Sequence, residues 1–209
     1  MKKVGVFGGS FDPVHLGHLL LAEQCLHAAD LDQIAFVPAA IPPHKQDMSL
    51  TRSDHRVEML RLAIGGNEKF QIERCELERD GVSFTVDTLE YLKGQDDQTE
   101  LFLLIGGDSL DEFHTWKDPG KICSLATPLI VERPGADPID LSKLESYGDS
   151  AFLSRVEKYS FRSRLIEISS REIREKVSKG ESIRYLTPRS VEQFILEKQL
   201  YGNPESENK

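Results

Sequence analysis

The chain has 209 residues, of which 39% are hydrophobic and 29% charged, and its formal net charge is −9. That length buries one good core and suggests a single domain with a small subdomain at one end, and no apolar stretch approaches the roughly 20 residues of a membrane-spanning helix. The acidic balance disfavours a protein that coats nucleic acid, so the cations needed to meet an anionic ligand must be gathered locally.

In chain order, Lys3 to Phe7 reads as a first strand, Gly17 to Ala29 as a helix, Ile34 to Pro38 as a second strand and Ser53 to Ile64 as an amphipathic helix. Phe70 to Glu76 suggests a third strand, Thr85 to Leu92 a helix, and the apolar runs Leu101 to Ile105 and Pro128 to Val131 two further strands. Continuous apolar runs of this kind suit a parallel sheet covered on both faces. Residues 136–159 mix Gly, Pro, Asp and Ser with short apolar clusters and carry no clear pattern. Leu165 to Ile168 then predicts a strand, Ser170 to Ser178 a helix, and Pro188 to Lys198 a last helix with proline near its first turn. The expected fold is α/β, a Rossmann-like doubly wound parallel sheet with a small C-terminal helical subdomain. Residues 1–202 form one domain in this reading, with 169–202 as the subdomain and 203–209 as a mobile tail. No internal repeat is present.

Cys25, Cys75 and Cys123 lie far apart without a Cys-x-x-Cys pair, and read as small buried hydrophobes in a reducing compartment. The N-terminus runs straight into a strand rather than a signal-peptide apolar region, which predicts a cytoplasmic protein. The sequence leaves a homo-oligomer open.

The most informative segment is Gly8-Gly9-Ser10-Phe11-Asp12-Pro13-Val14-His15-Leu16-Gly17-His18, at the junction between the first strand and first helix. Free N–H groups and the helix dipole favour anions there, and glycines let a ligand approach the backbone. His15 and His18, three apart, can present imidazole nitrogens to one phosphate group. Metalloprotease helices pair histidines four apart with a glutamate between, which this segment lacks, so no protein-held metal is expected. Asp12 reads equally as a turn former before Pro13 and as a ligand contact. A second candidate is Ile168-Ser169-Ser170-Arg171-Glu172-Ile173-Arg174: the serines suit an N-cap, and Arg171 and Arg174 can project guanidinium forks from one helix face.

Together these segments resemble the two phosphate motifs of the nucleotidyltransferase superfamily related to class I aminoacyl-tRNA synthetases. Further segments in the same order resemble the nicotinate-nucleotide adenylyltransferases: Ile41 to Lys45, Gly81 to Leu89, Ile105 to Leu110 with Trp116, Val131 to Gly135, and Tyr185 to Pro188. Phe84 stands where that family commonly has tyrosine, and Arg171 where a small hydroxyl residue is common. The resemblance implies transfer of AMP from ATP to nicotinate mononucleotide, giving nicotinate adenine dinucleotide and pyrophosphate. His15, His18 and Arg174 would be catalytic, and Mg²⁺ would be held mainly by substrate phosphates. It implies an ATP site of Gly8, Gly9, Ser10, Phe11, His15, His18, Asp108, Ser169, Ser170, Arg171 and Arg174. The acceptor site would comprise Ser10, Lys45, Ser83, Phe84, Thr85 and Trp116. Asp108 would accept ribose hydroxyls or cap a helix, Trp116 would stack on the pyridine ring or fill the core, and Arg133 would contact nucleotide or form an ion pair. The partners implied are ATP and nicotinate mononucleotide, with no nucleic acid and no membrane. Two alternatives stand beside this reading: another small adenylyl- or cytidylyltransferase, and a non-catalytic nucleotide-binding module on the same fold.

Overall fold

The structure, a computed structural model, describes residues 1–43, 50–79, 81–132, 138–163 and 167–202. Strands β1 (Lys3–Gly9), β2 (Gln33–Pro38), β3 (Phe70–Ile72), β4 (Glu100–Gly106), β5 (Ala126–Glu132) and β6 (Phe161–Arg162) form one sheet in the order β3-β2-β1-β4-β5-β6. Every pairing is parallel. This is the doubly wound order, in which the winding direction reverses between β1 and β4 and opens a crevice at the strand C-termini.

The period-two alternation of strand side chains supplies both covered faces. Phe7, Ile34, Phe36, Phe102, Leu104 and Leu129 point to one core, and Val4, Val6, Val37, Leu101, Leu103 and Ile130 to the other. The first face is closed by α1 (Leu16–Ala28), α2 (Ser53–Ile64), α8 (Ser170–Ser178) and α9 (Arg189–Glu197). The two C-terminal helices drive Ile173, Val191 and Ile195 fully into that core, each contributing about 1.5–3 kcal/mol of apolar burial. The second face is closed by α4 (Thr85–Gln95), α6 (Pro119–Leu125) and α7 (Ser150–Tyr159). All three cysteines are buried and unpaired, with burial pushing each thiol up to about 12.

Several elements depart from their expected bounds. The third strand ends at Ile72, because the Glu73 carboxylate accepts the Cys75 N–H at 2.9 Å and starts a short helix, α3 (Cys75–Glu78). A five-residue helix, α5 (Gly107–Asp111), follows β4 directly. Helix α6 was not anticipated, although it begins with Pro119 in its first turn and Asp118 accepting the Lys121 N–H at 3.1 Å. Within 136–159, α7 is set by Asp149, which caps the Phe152 N–H at 2.8 Å, and by burial of Phe152 and Val156. The sixth strand is Phe161–Arg162. Of the strand expected at Leu165 to Ile168, Leu165 and Ile166 lie outside the described residues, and Glu167 and Ile168 are not in a strand. The expected tail 203–209 also lies outside them. Among the described residues, no helix is long and apolar enough to cross a membrane.

Candidate active site

Two glycine-bearing turns flank the crevice: Gly8-Gly9-Ser10 at the end of β1, and Gly106-Gly107-Asp108 where β4 passes into α5. A Cβ built on Gly8, Gly106 or Gly107 would meet nothing within 4 Å, so these backbones face open space that a ligand can enter. Asp108 sits exposed in the first turn of α5, on the opposite lip from His15 and His18.

The histidine pair builds its own scaffold. His15 is the N-cap of α1, and its Nδ1 accepts the His18 N–H at 3.4 Å while His18 Nδ1 accepts the His15 N–H at 3.2 Å, a reciprocal capping box made from imidazoles. The rings stack with centroids 3.6 Å apart. A Cβ on Gly17 would lie 3.0 Å from His15 Nδ1, so the intervening glycine makes room for the ring. Phe7 and Phe11 pack against His18 with centroids at 5.9 and 5.1 Å. Burial lowers the His15 pKa to about 4, and burial followed by the His15 charge holds that of His18 well below its ordinary value. Both rings are therefore neutral near pH 7. Because each Nδ1 accepts a backbone N–H, the one ring proton of each sits on Nε2, making two hydrogen-bond donors for an anion.

The loop between β1 and α1 is clamped from below through its carbonyls. Arg56 Nη1 donates to Ser10 O at 2.8 Å, Arg174 Nη1 to Asp12 O at 2.6 Å, Ser170 Oγ to Pro13 O at 2.9 Å and Thr187 Oγ1 to Val14 O at 2.9 Å. The Leu16 N–H donates to Leu186 O at 2.9 Å. Among the described residues, none accepts the N–H of Ser10, Phe11 or Asp12. An anion site needs this polarity, with acceptors tied away and donors left over. The distal motif is thus joined to the first through Ser170 and Arg174, and among the described residues Arg174 spends one of its five N–H donors, on Asp12 O.

Three expected contacts read differently in the structure. Phe11 is 1% exposed, so its ring supports His18 from within the core rather than facing a ligand. Arg171 does not project beside Arg174: its exposed side chain pairs with Glu175 at 2.9 Å, because i,i+4 spacing offers it a nearer carboxylate. Asp12 is 2% exposed, and its carboxylate is engaged by the Thr51 N–H at 3.1 Å and the Tyr201 hydroxyl at 2.6 Å, which makes it a structural junction. Ser169 caps α8 by accepting the Glu172 N–H at 3.1 Å.

On the other lip, the buried Ser83 hydroxyl accepts the Ala40 N–H at 2.9 Å and that of Ile41 at 3.4 Å, so it fastens the loop after β2 onto the start of α4. Beneath it lies an acid that the sequence reading missed: Glu76, 7% exposed, accepts the Thr88 hydroxyl at 2.6 Å and is held above the ordinary carboxyl range chiefly by burial. The N–H groups of Thr85 and Val86, at the start of α4, find no acceptor among the described residues. Phe84 carries the Lys117 ammonium 4.6 Å from its ring centroid, and half-buried Trp116 packs on fully buried Phe113 at 5.2 Å. Lys45 and Arg133 lie outside the described residues. Among the described residues, no group of three or more His, Cys, Asp or Glu side chains could hold a metal ion.

Arg56 and Tyr201 are the other residues sequence reading missed, and Thr187, within the segment Tyr185 to Pro188, is given no role there. Arg56 carried a signal, since it shares helical spacing with buried Met59 and Leu60, where a charged residue needs fixed partners. Tyr201 carried none.

The cytidylyltransferase-like family model matches residues 6–176. A probable nicotinate-nucleotide adenylyltransferase of Geobacillus thermodenitrificans is 42% identical over 97% of this chain and 87% of its own length. The nicotinate-nucleotide adenylyltransferase of Bacillus subtilis is 40% identical over 96% of this chain and 99% of its own. The fold matches that of Plasmodium falciparum nicotinic acid mononucleotide adenylyltransferase complexed with NaAD, with a TM-score of 0.74 and 22% identity over 96% of this chain and 98% of that one. A doubly wound sheet with a stacked histidine pair at the β1–α1 junction accords with these matches, and the chain belongs to the cytidylyltransferase-like family and, within it, to the nicotinate-nucleotide adenylyltransferases.

Proposed function

We propose that the chain transfers AMP from MgATP to nicotinate mononucleotide, forming nicotinate adenine dinucleotide and pyrophosphate, and that residues 1–202 act as one catalytic unit. The observation that carries the mechanism is the pair of neutral imidazoles whose backbone-bonded Nδ1 atoms leave two Nε2–H donors at the crevice.

The acceptor is a phosphate monoester whose second ionisation falls near pH 6, so its oxygen attacks without a side chain to deprotonate it. A new bond forms between that oxygen and the α-phosphorus, the bond from the α-phosphorus to the bridging oxygen breaks, and the electron pair leaves on pyrophosphate. Catalysis then consists of alignment and charge stabilisation. His15 and His18 donate to phosphate oxygens, the loop N–H groups of Ser10, Phe11 and Asp12 and the turn at Gly8 and Gly9 cradle the triphosphate, and Arg174 meets its distal end. The magnesium ion enters as part of the nucleotide substrate and neutralises charge on its phosphates, which fits a donor set of imidazole, guanidinium and N–H groups that favours anions. Asp108 is assigned to the ribose. On the acceptor side, Thr85 and Val86 N–H groups receive the nicotinate carboxylate beside Trp116 and Phe84, Ser83 shapes that turn, and Lys45 is assigned to the acceptor phosphate.

Incubation with ATP, Mg²⁺ and a panel of phosphorylated acceptors, following pyrophosphate release, tests this. Turnover with nicotinate mononucleotide well above that with phosphopantetheine or alcohol phosphates is expected; preferential use of one of those would replace the acceptor assignment. Because burial lowers both imidazole pKa values in the free protein, the acid limb of the kcat/KM profile should follow the acceptor phosphate near pH 6 rather than a histidine.

A further inference from the structure

Beneath the β1–α1 loop, the Asp12 carboxylate, Arg56 and Tyr201 form a side-chain cluster that makes no contact assigned to AMP transfer. Asp12 joins three parts of the chain that are remote in sequence: its carboxylate accepts from Thr51, 39 residues away, and from Tyr201, 189 residues away. Its own carbonyl accepts from Arg174. Arg56, 2% exposed, crosses the same junction by donating through Nε to Thr51 O at 2.9 Å and through Nη1 to Ser10 O. A buried carboxylate below a site for a polyanion would repel the ligand unless it were offset, and here two guanidinium groups and a phenol surround it.

The backbone after α9 is held in a costly conformation. Tyr201 adopts φ of 63° and Gln199 φ of 51°, left-handed backbone that non-glycine residues enter at a cost of roughly 1–2 kcal/mol. The conformation turns the phenol inward, where its oxygen lies 2.6 Å from Asp12 Oδ1 and 4.0 Å from Met59 Sδ. Burial, then the Asp12 charge, pushes the phenol proton well above its ordinary range, so the hydroxyl remains a donor.

We propose that Tyr201 is a positioning residue for the nucleotide site: through the Asp12 carboxylate its hydroxyl fixes the Ser10 to Val14 turn, so that the unbonded N–H groups and the His15/His18 pair face the triphosphate. The inference builds on the AMP-transfer reading but concerns only its ATP half. Tyr201 thereby couples the turn after α9 to the first phosphate motif, much as Ser170 and Arg174 couple α8 to it.

Tyr201→Phe in the full chain removes one oxygen and keeps the ring that packs in the core. Kcat/KM for ATP should fall about 10- to 100-fold, as expected for loss of a hydrogen bond to a charged group, while KM for the acceptor changes less than about twofold. The melting temperature should stay within a few degrees of wild type. In ¹⁵N spectra of the imidazoles, the Nδ1 signals of His15 and His18 should shift in Tyr201→Phe, because the loop that sets their backbone partners loosens. Asp12→Asn should produce a similar loss, and the double variant should lose little more than either single one. Wild-type ATP kinetics with unchanged imidazole signals in Tyr201→Phe would overturn the proposal, as would additive losses in the double variant or equal losses towards both substrates accompanied by a lower melting temperature. Direct titration with ATP separates the two readings: if wild type binds ATP but does not adenylylate nicotinate mononucleotide, the acceptor assignment fails, and the ratio of ATP dissociation constants between wild type and Tyr201→Phe still decides the role of Tyr201.

Discussion

The two lips of the crevice are built differently for the anion binding proposed for both. On the β1 side, side chains from α2, α8 and the segment before α9 tie down the loop carbonyls, and two neutral histidines brace one another over a buried aromatic floor. On the α4 side no side chain caps the helix, and Ser83 spends its hydroxyl on the neighbouring loop, which leaves bare N–H groups beside aromatic faces. The first construction suits charge that grows during reaction, because its donors are fixed before the substrate arrives. The second suits a planar ligand whose charge does not change.

The sharpest way to break this contrast is His18→Ala. Removing one preorganised donor from the reacting side should lower kcat by roughly 10²- to 10³-fold while leaving acceptor KM nearly unchanged. Steady-state kinetics with circular dichroism as the folding control measures it; a variant with near wild-type turnover would take His18 out of the mechanism.

Next in size is the difference between two arginines on one helix. Arg174 reaches the loop carbonyl of Asp12, whereas Arg171 lies at the surface with Glu175. Arg174→Ala should therefore reduce kcat/KM for ATP by about 100-fold, with Arg174→Lys recovering only part because an ammonium cannot form a bidentate fork. Arg171→Ala should cost no more than about threefold, since an exposed i,i+4 pair contributes only a few tenths of a kcal/mol. Equal losses in the two alanine variants would restore Arg171 to the phosphate site.

This pair also marks how far sequence could reach. Strands β1 to β5 and the histidine pair follow from periodicity and from a glycine-rich turn between strand and helix, all of them local signals, whereas the order of the strands comes from the structure. Spacing placed Arg171 and Arg174 on one face, but which of them turns to the loop depends on Glu175 competing for the nearer guanidinium. Asp149 and Phe152 specify α7 with a cap and an apolar stripe that a window rich in Gly, Pro and Ser conceals. The Asp12 to Tyr201 contact spans almost the whole chain, and no pattern within a window encodes it.

The acceptor lip is sharpened by substrate choice. N–H groups of Thr85 and Val86 suit two carboxylate oxygens, whereas the NH₂ of an amide would face donors instead of acceptors. Leaving such groups unpaired costs roughly 1–3 kcal/mol, and the lost charge attraction adds to it. A preference for nicotinate over nicotinamide mononucleotide of at least about 100-fold in kcat/KM is expected, and Trp116→Ala should raise KM for the acceptor more than for ATP. Parallel initial-rate measurements decide this, and equal use of the two mononucleotides would remove the α4 N–H groups from the acceptor site.

The smallest effect concerns stability, and here the two lips titrate in opposite directions. The folded pKa of His15 is depressed, so its contribution is fully present above the ordinary value of 6.5 and is lost as pH falls towards about 4. The Glu76 pKa is raised, mainly by burial, so its contribution is fully present below the ordinary carboxyl value of 4.5 and is lost as pH rises through the folded value. Above that folded value the acceptor lip therefore holds a buried carboxylate that the fold would hold better as a neutral group. Glu76→Gln keeps an oxygen to accept the Thr88 hydroxyl and removes the charge. The variant should melt higher than wild type at pH 8, by on the order of 2 °C, with the gap closing as pH falls towards the ordinary carboxyl value. The His15 contribution is common to both proteins and cancels in that difference. Thermal melts of the two proteins across pH 5–8 measure it, and a gap independent of pH, or a variant that melts lower at pH 8, would show that Glu76 is stabilised as a carboxylate, with Arg79 as the nearby charge that holds it.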